Sequence, residues 1–178
     1  MPTPSPAATL PPRTIVLRDS RPRRLRPLGA GDEAAVIAFF DQLSPATVRA
    51  RYGYLIKDMT PDRAHRIVAA DPAGRVALGV FEDGANGPEL CAIGRLVHAP
   101  DRGAAECAFL VRDDRRRLRL ASRLLLYLRV LARRRGVTRL FAQVRRDNRA
   151  MIEVFRGARA RLHFSPYGDV VGVDIPLR

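Results

Sequence analysis

The chain is poor in the residues that bind metals, close disulfides or cross membranes. Its 178 residues include two cysteines, Cys91 and Cys107, and three histidines. Neither cysteine has the spacing of a metal or redox motif, so both are expected to be buried thiols in strands. No apolar run approaches the roughly 20 residues needed to span a bilayer. The opening segment MPTPSPAATLPPRT lacks the apolar centre of a secretory leader, so the expectation is a cytoplasmic protein without membrane contact. No internal repeat is present. Lysine is almost missing too: Lys57 is the only one among 32 basic residues, against 18 acidic ones, for a net charge of +14. Such an excess suits nucleic acid or an anionic ligand. No basic stretch is interleaved with aromatics as in a single-strand-binding surface, however, so binding of nucleic acid through the arginines ranks last among the functions considered. An arginine bias this strong fits a GC-rich genome for most positions. One cluster of arginines is the exception.

What is present describes a folded protein. Apolar residues make up 47% of the chain, enough for the core of one domain. Residues 1–12, rich in Pro, Ala and Thr, are expected to be a disordered tail, and residues 13–178 a single domain. TIVLRDSRPRRLRPL reads as two short strands around Asp19-Ser20. Pro22 and Pro27 mark the second strand as short or at an edge. Asp32 is placed to cap a helix containing Val36, Phe39 and Phe40. Ser44-Pro45 and Thr60-Pro61 each pair a cap residue with proline at the first helical position. Strands follow over Arg75–Glu82 and Leu90–Val97, separated by the turn at 83–88 and followed by a loop from His98 to Gly103. Further on come a strand over Thr138–Val144, a helix capped by Asn148, and strands over Leu162–Phe164 and Val170–Ile175. This order implies a mixed, mostly antiparallel sheet flanked by helices, an α/β (α+β) fold.

The stretch from Glu106 to Gly136 carries most of the information. Phe109, Leu110 and Val111 make a strand that Asp113 and Asp114 end. Four arginines follow within five positions: Arg115, Arg116, Arg117 and Arg119. Then Ala121, Leu124, Leu125, Leu128, Leu131 and Ala132 recur at helical spacing, and Gly136 closes the helix. Strand, short turn and helix form an anion site, because the first helical N–H groups have no partner and the helix dipole is positive there. A solvated arginine face is the competing reading.

The order of elements and this stretch resemble the GNAT superfamily of N-acetyltransferases. The family's pyrophosphate loop reads Gln/Arg-x-x-Gly-x-Gly/Ala. The aligned residues are Arg116-Arg117-Leu118-Arg119-Leu120-Ala121, with arginine where glycine is expected at 119. Val-Arg-Asp-Asp precedes the loop, Ser122-Arg123-Leu124-Leu125 follows it, and Asp147-Asn148-Arg149-x-Met151 opens the next helix. LRPLGAGDEAAV and LSPATVRARY are similar to the opening of GNAT domains in bacterial protein-lysine acetyltransferases. The resemblance spans about residues 14–177. It implies acetyl-CoA as co-substrate, no metal, and an amine acceptor that is a protein lysine or a small amine; it leaves the oligomeric state open, with a homodimer as one option. It places the pantetheine arm along Phe109, Leu110 and Val111, and the pyrophosphate on the amides of Arg116, Arg117, Leu118, Arg119, Leu120, Ala121 and Ser122. It also places Asn148 near the pantetheine, although that residue is equally a plain helix cap.

Acetyl transfer to an amine needs a base, because a lysine amine titrates near 10.4. The resemblance puts a general-base glutamate at Glu106, with an exposed strand-end residue as the alternative. The tyrosine that many relatives use as proton donor falls at Phe155, which has no hydroxyl. Tyr52, Tyr54 and Tyr127 are other phenols, with packing the expected role of Tyr52. At Arg119 a negative φ would turn the side chain outward, whereas a positive φ is expected to deform the loop. An acidic neighbourhood for the acceptor is expected from Asp32, Glu33, Asp41 or Asp58. The alternative function is a GNAT-like module that binds acyl-CoA without turnover.

Overall fold

The computed structural model describes residues 10–69, 74–99 and 103–177. The first five strands are β1 (Arg13–Val16), β2 (Pro22–Pro27), β3 (Val76–Gly84), β4 (Gly87–Ala99) and β5 (Ala104–Val111), with β3 and β4 carrying continuous buried runs because both of their faces are covered. After the helical stretch come β6 (Arg139–Arg145), β7 (Arg161–Phe164) and β8 (Val170–Pro176). The helices are α1 (Glu33–Asp41), α2 (Pro45–Tyr52), α3 (Pro61–Val68), α4 (Leu120–Arg134) and α5 (Arg149–Gly157). One sheet runs in the order β1-β2-β3-β4-β5-β6-β8-β7, and only β5 and β6 pair in parallel. This is the mixed, mostly antiparallel sheet that the order of elements implies.

Helices cover both faces of the sheet. On one face, Leu124 and Leu128 of α4 and Phe155 of α5 join Cys107 and Phe109 in a core cluster. Close approach of α4 needs Gly94, where an added Cβ would meet the Leu124 Cβ at 3.2 Å. On the other face, Phe39 of α1 and Ile67 of α3 pack with Ile93 and Leu110. Residues 107 and 109 thus face one layer and residue 110 the other, as the two-residue period of a strand requires.

Local chemistry explains the helix ends. Ser44 Oγ accepts the Thr47 N–H at 3.2 Å, and Thr60 Oγ1 accepts the Arg63 N–H at 3.3 Å. Gly53 stops α2 with φ of 77°. Asp32 occupies the cap position of α1 but makes no capping bond. Both of its oxygens take Arg26 at 2.7 Å, and one also takes the Gly29 N–H at 2.9 Å, so ion pairing to the neighbouring strand outcompetes the cap. Other details differ from the sequence expectation. β2 lies inside the sheet, between β1 and β3, with its prolines at its ends. β3 and β4 run into a tight hairpin in which Gly84 pairs with Gly87, and β4 continues to Ala99. Leu10, assigned above to the tail, is buried in the core; residues 1–9 lie outside the described residues.

One feature of the sheet positions everything that follows. β5 and β6 pair only where Ala104, Ala105 and Glu106 meet Arg139, Leu140 and Phe141. Beyond that point β5 keeps β4 as its neighbour and β6 keeps β8, and the two strands part.

Candidate active site

The fork between β5 and β6 opens a cleft of about 690 Å³. Its walls are Glu106–Val111 from β5 and Ala142–Val144 from β6; Thr47, Ala50 and Arg51 of α2 border it, as do Asn148 and Phe155. Arg116, Arg117, Arg119, Leu120, Ala121 and Ser122 line the end near α4. Along both parted strands one edge has no ladder partner, so main-chain donors and acceptors remain for an extended ligand. Of the site residues expected from the sequence, Leu118 alone does not line the cleft. It packs against the core instead.

The loop before α4 is strained. Arg117 and Arg119 both have φ of 65°, a conformation that costs a residue with a side chain about 1–2 kcal/mol. Arg119 therefore has the positive φ that is expected to strain the loop. Arg119 takes up the backbone shape of a glycine, and α4 begins with the Arg123 N–H bonded to the Arg119 carbonyl at 3.0 Å. The amides of Leu120, Ala121 and Ser122 precede that first bond and so have no acceptor within the helix.

Carboxylates hold this strained loop in place. Asp113 accepts the Ser44 N–H at 2.9 Å, the Ser44 hydroxyl at 3.0 Å and the Thr47 hydroxyl at 2.7 Å, and pairs with Arg116 at 2.6 Å. Burial opposes the charge on Asp113, yet the bonds from Ser44 and Thr47 and the field of Arg116 leave its pKa below the ordinary carboxylate value. The start of α2 is thereby clamped to the loop. Arg112, 3% exposed, contacts Asp114 at 2.7 Å, Glu82 at 3.1 Å and Glu89 at 3.2 Å. Arg115 pairs with Glu82 at 2.6 Å and with Asp114 at 2.7 Å. Two members of the sequence cluster, Arg115 and Arg116, are thus already engaged with carboxylates. Arg117 and Arg119 form no ion pair among the described residues.

The opposite end of the cleft looks different. Glu106 is exposed there, on the same strand face as Ala108 and Leu110. Ala108 lies across from Arg95 of β4. Arg51, Tyr52, Arg95 and Ala108 line a recess of about 10 Å³ that shares Arg51 and Ala108 with the cleft. The Arg51 guanidinium sits 4.9 Å from the Tyr52 ring centre. Burial pushes the Arg95 pKa below its usual range; Tyr52 and Glu106 act against that shift, while Arg51 and Arg75 add to it. Neither Arg51 nor Arg95 bonds a carboxylate among the described residues. None of Asp32, Glu33, Asp41 and Asp58 lines the cleft. Asp32 is bound to Arg26, and Glu33 contacts His65 at 3.1 Å, so the acidic neighbourhood expected for the acceptor is not formed by them.

The remaining candidates are placed as follows. Phe155 is 1% exposed and meets Phe109 edge-on at 6.0 Å. Burial raises the Tyr52 pKa against the fields of Arg51 and Arg95, and its ring packs near Phe40. Tyr54 is exposed, and Tyr127 packs against the core. Asn148 caps α5 by accepting the Met151 N–H at 3.2 Å, and it also faces the cleft. Burial, and secondarily Glu106, push the Cys107 thiol up to about 12, which disfavours its thiolate. Arg51 and Arg95 were not singled out in the sequence. An arginine inside the apolar run CAIGRLV was the available signal for Arg95.

Residues 37–158 match the model of the acetyltransferase (GNAT) family. The chain belongs to the GNAT family. It is 32% identical over 139 residues to acetyltransferase PA5475 of Pseudomonas aeruginosa, covering 76% of this chain and 73% of that protein. The GNAT domain of S. lividans PAT superposes with a TM-score of 0.84 at 29% identity, over 93% of this chain and 97% of that one. A cAMP-binding acyltransferase from Mycobacterium smegmatis superposes with a TM-score of 0.63 at 25% identity, over 97% of this chain. This chain covers 48% of that protein, about half its length. The fork between β5 and β6 and the loop ahead of α4 both lie within the matched residues. Among the described residues no helix is long and apolar enough to cross a membrane.

Proposed function

We propose that residues 13–178 act as one GNAT domain that transfers an acetyl group from acetyl-CoA to an amine, either a protein lysine or a small amine. The observation that carries this reading is the fork: an open strand edge from Cys107 to Val111, ending on unpaired helical amides at Leu120–Ser122. Phe109, Leu110 and Val111 pair with the pantetheine arm as an added strand. The pyrophosphate rests on the amides from Arg116 to Ser122, with Arg117 and Arg119 supplying positive charge. Asn148 borders the arm while it caps α5.

The amine nitrogen attacks the thioester carbon, the carbon–sulfur bond breaks, and the acetyl group stays on nitrogen. Glu106 takes the proton that the amine loses, directly or through water. Main-chain N–H groups on the open β5 edge stabilise the oxyanion. Guanidinium charges at Arg51 and Arg95 disfavour the ammonium form of a nearby acceptor, which helps to supply the neutral amine. Phe155 cannot protonate the leaving thiolate. That absence is tolerable, because a thiol titrates near 8.5 and leaves far more readily than an amine.

The test is thiol release from acetyl-CoA with a panel of amines and peptides, run beside a calorimetric titration with CoA. Binding together with release on at least one amine supports the transferase. Binding without release selects the acyl-CoA-binding module, the reading that Phe155 and the strained Arg119 favour. Absence of heat at millimolar CoA overturns both.

A further inference from the structure

The acceptor end of the cleft suggests what kind of amine it receives. Arg95 is the sole charged residue in the middle of β4, between Ile93 and Leu96, and it is half buried. A half-buried guanidinium without a carboxylate keeps hydrogen-bond donors for a ligand. At the loop end, Arg112, Arg115 and Arg116 each hold a carboxylate between 2.6 and 3.2 Å away. Arg51 and Arg95 hold none among the described residues. The recess that they line is small, about 10 Å³, and shares Arg51, Ala108, Phe109 and Leu110 with the walls of the cleft, so an anion would lie at its mouth rather than inside it; Glu106 stands on the same strand face as Ala108. A lone cationic acceptor would meet two positive charges for one negative charge. An acceptor with both an amine and a carboxylate would satisfy all three groups.

We propose that the acceptor carries a carboxylate close to its reactive amine, and that Arg51 and Arg95 hold this carboxylate while the amine faces Glu106. The inference rests on the transferase reading above and narrows its substrate class. The carboxylate has two possible sources: an acidic residue beside a lysine in a peptide, or the carboxylate of a free amino acid.

Matched acceptors distinguish them. One pair is a peptide with lysine between two glutamates and the same peptide with glutamines; the other is L-lysine and L-lysinamide. In the acetyl-CoA assay the carboxylate member of one pair should show a kcat/KM higher by about tenfold or more, as a charge-assisted bond provides. The pair that responds identifies the source. Arg95→Gln should bring that ratio to within about threefold, and Arg95→Lys, which keeps the charge, should leave an intermediate ratio. Affinity for CoA, titrated separately, should be unchanged in Arg95→Gln, which also establishes that the variant folds. Ratios near one for both wild-type pairs would overturn the inference, as would a preference that survives both Arg51→Gln and Arg95→Gln. If no acceptor releases thiol, calorimetry of the two peptides on CoA-loaded protein decides instead. Tighter binding of the glutamate peptide, lost in Arg95→Gln, supports the anion site while removing the transferase reading. Equal binding removes the anion site.

Discussion

The two ends of the cleft use arginine in opposite ways. At the loop end the chain concentrates positive charge in sequence, and the fold neutralises much of it. Arg112, Arg115 and Arg116 are bound to Glu82, Glu89, Asp113 and Asp114, and what remains for an anion is main-chain amide together with Arg117 and Arg119. At the acceptor end the sequence contains no cluster. Arg51 comes from a helix and Arg95 from a strand, and the fold brings them to one recess without a carboxylate between them. The density of arginine along the chain is therefore a poor guide to where charge is available. A charge run attracts its own carboxylates, whereas an isolated arginine in an apolar strand has few nearby.

The contrast can be broken from either side. The largest effect is expected at Arg112, where Arg112→Met removes a buried guanidinium from Glu82 and Asp114, both of which keep Arg115. Chemical denaturation should show a loss of about 3 kcal/mol. Next is Glu106→Gln at the other end, expected to lower kcat by about 100-fold while CoA affinity by calorimetry stays within about twofold. Full turnover in that variant would dispose of the base role. A smaller effect of opposite sign is expected at Arg119→Gly, which relieves the left-handed strain and should raise stability by roughly 0.5–1 kcal/mol in denaturant titration. The smallest concerns acid. Because the Asp113 pKa is lowered on folding, its contribution is complete above about pH 4 and disappears as the pH falls through its folded value. The group is partly exposed, so no more than about 1 kcal/mol is involved. Melting temperatures of Asp113→Asn between neutral and acidic pH should therefore fall less steeply than those of the wild type.

Much of the fold was legible because its signals are local. Ser44-Pro45 and Thr60-Pro61 begin helices as their chemistry requires, and the spacing of Leu124, Leu128 and Leu131 marks the buried face of α4. The candidate site was legible where it is continuous in sequence, from Glu106 to Ser122. What escaped depends on competition between distant groups. Asp32 reads as a cap but is captured by Arg26. Arg115 and Arg116 stand in the arginine cluster, yet their side chains meet Glu82 and Asp113. Arg51 and Arg95 become neighbours only through the placement of α2 over the sheet, which no spacing in the sequence encodes. Arg119 escaped for another reason: the residue type argues against a left-handed backbone, and the anchored loop on either side overrides it.

The parted strands carry one further consequence. A sheet edge with free amides and carbonyls is usually a hazard, because any passing chain can zip onto it. Here those borders face each other across a cleft bordered by α2, α4 and α5, rather than along the outer rim of the sheet. A slender, flexible guest can thread between them. Protection from self-association and selection for a thin ligand thus follow from one geometric fact, the ladder that stops after three rungs.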